Sequence, residues 1–66
     1  MRATYGPEVD VLKITLSDAE INESDEGKPG VILDYDKDGN TVAIEILDAS
    51  VRVANPRSFE YAVLSA

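Results

Sequence analysis

The chain has 66 residues, enough for one small domain spanning residues 1–66 but with little interior for an apolar core. Its 13 acidic and 6 basic residues give a formal net charge of −7, which repels nucleic acid backbones and anionic membrane surfaces. It has no cysteine and no histidine, which excludes disulfides, thiolate metal sites and the commonest proton shuttle at neutral pH. Without an apolar leader or a membrane-spanning apolar run, we expect a cytoplasmic location.

Alternation of apolar and polar residues predicts two strands near the start of the chain. Residues 11–17 place large apolar side chains on one side and polar side chains on the other, as a half-buried strand does. Residues 2–5 alternate in the same way. Gly6-Pro7 opens a plausible turn over residues 6–10, so the two strands are predicted to pair antiparallel.

A polar and acidic stretch separates this hairpin from the next apolar segment. Residues 17–30 contain Gly27 and Pro29 as breakers and Ile21 as their one large apolar residue. This composition predicts a loop, with a short strand around residues 21–24.

Residues 31–47 predict a second antiparallel hairpin. A loop at residues 37–40 brings two apolar rows to the same face through the pairs Asp36–Thr41, Tyr35–Val42, Leu33–Ile44 and Val31–Ile46. A loop shorter by one residue would place the rows on opposite faces. Gly39 supplies the positive φ angle that such a turn requires.

The remaining residues predict one short helix and one more strand. Asp48 is a suitable N-cap for a helix of one or two turns near residues 48–54. Residues 58–64 alternate apolar and polar side chains, and this predicted strand delivers Phe59 and Tyr61 to the core. The predicted fold class is α+β and mostly β: a small antiparallel sheet of four to five strands with one short helix near residues 48–54.

One segment matches the pattern of a calcium-binding loop. Residues 34–45, DYDKDGNTVAIE, agree with the EF-hand loop at each specified position. An EF-hand loop lies between two helices, whereas Pro29-Gly30 and the alternation on both flanks indicate strands, so we do not expect an EF-hand.

A weaker divalent-cation site remains as an alternative at this acidic hairpin. Two neighbouring carboxylates would bind one calcium ion at roughly 0.1 to 1 mM. The competing interpretation is a solvated acidic face that limits sheet aggregation. Three candidate ligands are predicted on the outer face and the last in the turn: Asp34, Asp36, Glu45 and Asp38.

No arrangement of residues indicates catalysis. Carboxylate pairs such as Asp34 with Asp36 have no partner in a different role, and residues 27–30, GKPG, lack the spacing of a phosphate-binding loop. No nucleophile elbow is present. We therefore expect a non-enzymatic protein with no catalytic residue and no cofactor.

Two arginines and two aromatic residues near the end of the chain form a candidate recognition patch. Arginine and aromatic side chains are favoured at binding hot spots. Alternatively, the arginines pair with nearby acids on a solvated surface, where each pair adds about 1 kcal/mol at most. The predicted partner is a second copy of the chain or another small protein, bound by Arg52, Arg57, Phe59 and Tyr61.

Several segments together resemble the prokaryotic domain of unknown function 2283. The most specific are GVILDYD at residues 30–36 and IEILDAS at residues 44–50, supported by YGPEVD at residues 5–10. The resemblance implies a small single-domain prokaryotic protein. It also implies an antitoxin-like role, since some relatives are encoded beside other small proteins in toxin–antitoxin-like arrangements. It supplies no activity, cofactor or catalytic residue.

Overall fold

The computed structural model describes residues 1–65 and contains one antiparallel sheet of five strands and one short helix. The elements are β1 (Arg2–Gly6), β2 (Val11–Thr15), β3 (Glu23–Lys28), β4 (Val31–Tyr35), β5 (Thr41–Leu47) and α1 (Ala49–Arg52). The strands lie in the order β1-β2-β5-β4-β3, so the chain crosses the ends of β5 and β4 between β2 and β3. The predicted fold class is confirmed. Within residues 1–65, no helix has the length and apolar character needed to cross a bilayer.

Both predicted hairpins are present. β1 and β2 pair antiparallel around the turn that follows Gly6, which lies opposite Val11. β4 and β5 pair through Leu33–Ile44 and Val31–Ile46, as the alternation predicts. The side chains of these pairs therefore share one face of the sheet.

The register near the second turn differs from the prediction. Asp34 pairs with Ala43 but Tyr35 pairs with Thr41, so Val42 has no partner and forms a β-bulge. The predicted pairs Tyr35–Val42 and Asp36–Thr41 are wrong for this reason. The bulge has a structural role, because the Val42 side chain is buried and its carbonyl accepts a hydrogen bond from the backbone N–H of Leu16 at 2.7 Å.

β3 is longer than predicted and begins later in the chain. It continues through Gly27, which the sequence suggested as a breaker, and its register with β4 shifts between Asp25 and Lys28. A bulge accommodates a glycine without ending the strand. All of β3 is exposed, so no alternating apolar pattern marked it.

The apolar face of the sheet carries two rows of side chains across four strands. Most of them are half-buried, and the rows are Ala3, Ile14, Ile44, Leu33 and Tyr5, Leu12, Ile46, Val31. The radius of gyration is 12.8 Å, whereas about 11 Å is expected for a compact chain of this length. A single sheet without a full second layer explains both observations.

The helix is present but begins without the predicted cap. α1 has four residues, and Asp48 precedes it in a left-handed conformation with φ 51° and no side-chain capping bond. The helix ends where Val53 becomes extended. At the start of the helix, the backbone carbonyl of Asp10 takes the place of the missing Asp48 cap and accepts a hydrogen bond from the first helical N–H, that of Ala49, at 3.0 Å.

The predicted last strand is wrong. Residues 58–64 form no strand and pair with none of the five strands, and Phe59 and Tyr61 are exposed rather than in the core. Alternation marks a segment suited to a sheet, but it cannot supply the neighbouring strand edge that pairing needs. The five-stranded sheet leaves this segment on the surface.

Candidate functional site

In the C-terminal segment, residues 57–64, two aromatic side chains lie over the apolar face at its β1 and β2 side. Phe59 and Tyr61 line a groove whose floor includes Ala3 and Ile14. These two floor residues pair across β1 and β2 and belong to one apolar row. The segment therefore gives part of the sheet a thin second layer.

Arg57 fixes the beginning of this segment to the sheet. Its guanidinium carbon lies 5.8 Å from the centre of the Tyr5 ring, within the range of a cation–π interaction. Pro56, Arg57 and Phe59 line a second groove beside Tyr5 and Leu12. Three of the four predicted partner-binding residues, Arg57, Phe59 and Tyr61, are thus brought together.

Arg52 does not belong to this group. Its guanidinium lies against Gly30 in the turn between β3 and β4, where a side chain on Gly30 would overlap it. The Gly30 N–H donates to the Oε2 atom of Glu26 at 2.7 Å. Arg52 therefore packs against this turn and lines neither groove.

Large apolar side chains are exposed along the C-terminal segment and at the start of β1. Their exposed fractions are Met1 71%, Phe59 53%, Tyr61 69%, Val63 82% and Leu64 88%. We refer to Met1 and residues 57–64 as the C-terminal patch. Apolar side chains concentrated in this way mark interaction sites more often than scattered ones do.

A carboxylate pair with one buried member, Asp34, and one half-buried member, Glu45, lies on the opposite face of the sheet. Asp34 is 1% exposed, although the sequence suggested a solvated acidic face. It does project away from the apolar rows, but it lies between Ala43 on β5 and Ser24 on β3, with Glu45 diagonal to it. Burial on the polar face was missed because β3 carries no apolar pattern. The small Ala43 opposite Asp34 was the available signal.

The two oxygens of Asp34 have different environments. Oδ1 accepts a hydrogen bond from the Ser24 hydroxyl at 2.5 Å, whereas Oδ2 is buried and has no donor among the described residues when Glu45 is ionised. Burial opposes ionisation of Asp34, but hydrogen bonds from Glu45 and Ser24 outweigh it and lower the Asp34 pKa. The hydrogen bond to Asp34 raises the Glu45 pKa. Of the two carboxyl groups, Glu45 is therefore the one that is protonated more readily.

The other candidate calcium ligands are separated from this pair. The Oδ1 atom of Asp36 accepts hydrogen bonds from the backbone N–H groups of Asp38 and Asn40, each at 2.9 Å. These bonds close the turn, and the one from Asn40 is the main cause of a lowered Asp36 pKa. Within residues 1–65, no three acidic side chains are grouped so that they could hold a metal ion.

A second carboxylate, Asp10, links the first hairpin to the start of α1. Its Oδ1 accepts hydrogen bonds from the Tyr5 hydroxyl at 2.7 Å and the Ser50 N–H at 2.9 Å, and its Oδ2 accepts one from the Ser50 hydroxyl at 2.6 Å. The bonds from Ser50 and Tyr5 lower the Asp10 pKa, and the bond to Asp10 raises the Tyr5 pKa. Asp10 has no local sequence signal for this role, because its partner Ser50 lies 40 positions away.

The comparison with protein families confirms the resemblance. The family model "Protein of unknown function (DUF2283)" matches residues 2–50. The chain belongs to this family. The DUF2283 match contains all five strands, Asp10, Ser50 and the Asp34–Glu45 pair, and it ends inside α1. The whole C-terminal patch, Met1 and residues 57–64, lies outside the DUF2283 match. No curated protein and no solved structure matches the chain.

Proposed function

We propose that this DUF2283 protein is a non-enzymatic interaction module that self-associates through its C-terminal patch. The observation that carries the proposal is the group of exposed apolar side chains beside a half-buried apolar sheet face. Covering these groups with a second copy removes apolar surface from water, at about 25 cal/mol per Å². A small sheet with one thin outer layer gains stability from such a contact.

The chemistry of the patch supports a protein partner rather than a substrate. Tyr61 and Phe59 offer large rigid contact areas, and Arg57 is already held against the Tyr5 ring. The net charge of −7 opposes association at long range, so self-association is expected to strengthen with added salt. An antitoxin-like role would place another small protein on the same patch.

Sedimentation velocity over a wide range of protein concentration tests self-association. We expect a concentration-dependent dimer that Phe59→Ala and Tyr61→Ala each weaken by about tenfold or more, as loss of an aromatic hot spot does. Val51→Ala is the matched control, because Val51 is 83% exposed on α1 but outside the patch. A monomer at all concentrations, or equal effects of all three substitutions, would contradict the proposal.

Weak calcium binding at residues 34–45 is a second candidate function. The observation that favours it is the buried Oδ2 atom of Asp34, which has no donor within residues 1–65 when Glu45 is ionised. A cation near this atom would replace the proton that Glu45 provides. The chelation geometry is incomplete, so the expected dissociation constant remains roughly 0.1 to 1 mM.

A calcium titration followed by NMR tests this candidate. Binding predicts shifts confined to residues 34–45, and Glu45→Gln should remove them while Asp18→Asn, in the exposed loop before β3, leaves them unchanged. Shifts spread over the whole acidic surface, or none at millimolar calcium, would rule it out.

A further inference from the structure

Residues 59–65 have unpaired backbone groups. The last backbone hydrogen bond along the described chain joins the Ser58 N–H to the Asn55 carbonyl at 3.2 Å. Beyond it, the N–H and C=O groups form no hydrogen bond with any part of residues 1–65. These groups are therefore available to another strand.

The same residues have the composition of a strand. Phe59, Tyr61 and Val63 alternate with Glu60 and Ala62, and β-branched and aromatic residues favour pleated structure. The segment is about as long as β1, which has five residues. An extended segment with free backbone groups is suited to addition at the edge of a sheet.

The sheet offers two edges, and charge distinguishes them. β3 is one edge and exposes three acidic residues, Glu23, Asp25 and Glu26, against one lysine, Lys28, so its net negative charge repels the Glu60 side chain of the segment. β1 is the other edge and carries Arg2, a residue of opposite charge. Electrostatic complementarity therefore favours β1.

We infer that residues 59–64 of one copy pair with the free edge of β1 of a second copy as a sixth strand. This inference rests on the proposed self-association and specifies its geometry. Within one chain, Phe59 and Tyr61 line a groove on the apolar face, and their backbone does not reach the β1 edge. A two-fold arrangement lets each copy donate its segment to the other, which satisfies both sets of backbone groups.

The first experiment compares the full chain with a chain ending at Ser58, using sedimentation and amide hydrogen exchange by NMR. The shorter chain keeps all five strands, α1 and the Arg57–Tyr5 contact, and exchange in β2 and β5 verifies that it folds. We expect it to be monomeric. We also expect alternate β1 amides to exchange at least about tenfold faster in it than in the full-length dimer, because free edge N–H groups lose their partner.

Proline substitutions in the full chain separate backbone pairing from side-chain contact. Successive N–H groups of a strand point to opposite edges, so only one of Tyr61→Pro and Ala62→Pro removes a bond to the partner strand. We expect unequal effects beyond the loss that Tyr61→Ala measures. Isotope-filtered NOEs in a mixed dimer, one copy labelled, should join residues 59–64 of one copy to β1 of the other.

Charge exchange identifies the edge. Arg2→Glu and Glu60→Arg should each weaken the dimer at low salt, and the double variant should restore it. Asp25→Lys on β3, combined with the wild-type segment, should leave the dimer dissociation constant unchanged.

The possible outcomes separate this inference from the proposed function. A dimer that survives removal of residues 59–66 overturns strand addition and also places self-association outside the C-terminal patch. A dimer lost on truncation but without NOEs between copies at β1 also overturns strand addition, in favour of side-chain packing. A full-length monomer overturns both.

Discussion

The carboxylate of Asp10 accepts hydrogen bonds from both the backbone N–H and the hydroxyl of Ser50, 40 positions further along the chain. This contact joins the turn after β1 to the start of α1. Asp10 therefore accepts the capping hydrogen bonds at the start of α1, whereas Asp48, the residue immediately before the helix, accepts none. The apparent cap in the sequence and the actual one are different aspartates.

Asp10→Asn should lower the free energy of unfolding, measured by chemical denaturation at pH 7. An amide accepts through one oxygen only, so the bonds from Tyr5 and Ser50 cannot all be kept. Asp48→Asn is the matched control, because both residues have positive φ angles, which asparagine tolerates, and Asp48 makes no capping bond. Equal effects would show that the Asp10 network does not hold the helix.

The contribution of Asp10 should also depend on pH. Its folded-state pKa is lowered, so the stabilisation is present above its ordinary pKa near 3.8 and is lost as pH falls through the lowered value. Asp10→Asn should therefore differ most from wild type at neutral pH and least in acid. A difference that stays constant down to pH 2 would contradict this assignment.

Glu45→Gln should flatten the pH dependence of stability above pH 4.5. Glu45 has a raised pKa, so the native state binds more protons than the unfolded state above 4.5, and stability falls as pH rises through the raised value. Glutamine offers the Oδ2 atom of Asp34 a permanent donor without a second negative charge. We expect a gain of up to about 1 kcal/mol at pH 7.

One neighbour, Lys13, limits the size of that effect. Lys13 lies opposite Glu45 on β2, and its lost attraction to Glu45 offsets part of the gain. Glu23→Gln, which removes one negative charge from the exposed β3 strand, is the matched control. The proton-sharing assignment fails if Glu45→Gln keeps the wild-type slope above pH 4.5.

Gly30→Ala should be more destabilising than Gly39→Ala. Both glycines have positive φ angles, 82° and 83°, so each alanine carries a backbone cost of about 1–2 kcal/mol. Only at Gly30 does the added carbon overlap the Arg52 guanidinium, whereas nothing lies within 4 Å at Gly39. Because the Arg52 guanidinium is the end of a flexible, exposed side chain, displacing it should add at most about 0.5 kcal/mol to the loss at Gly30.

Removing the arginine side chain isolates this contact. In the Arg52→Ala background, the extra cost at Gly30 should disappear and the two glycine substitutions should become equivalent in thermal or chemical unfolding. A difference that persists without the arginine would place the constraint in the backbone.

Asp36→Ala should destabilise the β4–β5 turn more than Asp38→Ala. Asp36 accepts hydrogen bonds from the N–H groups of Asp38 and Asn40, whereas Asp38 lies exposed in the turn. Amide exchange at Asn40 and Thr41 measures the effect locally. Similar protection factors in the two variants would argue against a structural role for Asp36.

Much of the sheet could be predicted because alternation is a local property. The pairs Leu33–Ile44 and Val31–Ile46 follow from matching two apolar rows across one turn. The same reasoning placed Asp34 on the opposite face correctly but could not show that Ser24, Ala43 and Glu45 enclose it. Burial on that face depends on three strands at once.

The candidate site was predictable in composition but not in arrangement. Arg57, Phe59 and Tyr61 do lie together, whereas Arg52 lies against Gly30 because α1 directs it to another turn. Residues 58–64 have a strand pattern without a strand. Alternation of apolar and polar residues shows that a segment is suited to strand pairing. Whether it pairs depends on which strand edges of the sheet remain free.

By itself, the sequence determined the antiparallel hairpins, the single short helix and the apolar face, since each depends on side-chain spacing over fewer than about a dozen residues. Only the tertiary structure decided the bulge at Val42, the cap from Asp10, the burial of Asp34 and the exposed position of Phe59 and Tyr61. These features depend on contacts between residues far apart in the chain, and the strand order creates those contacts.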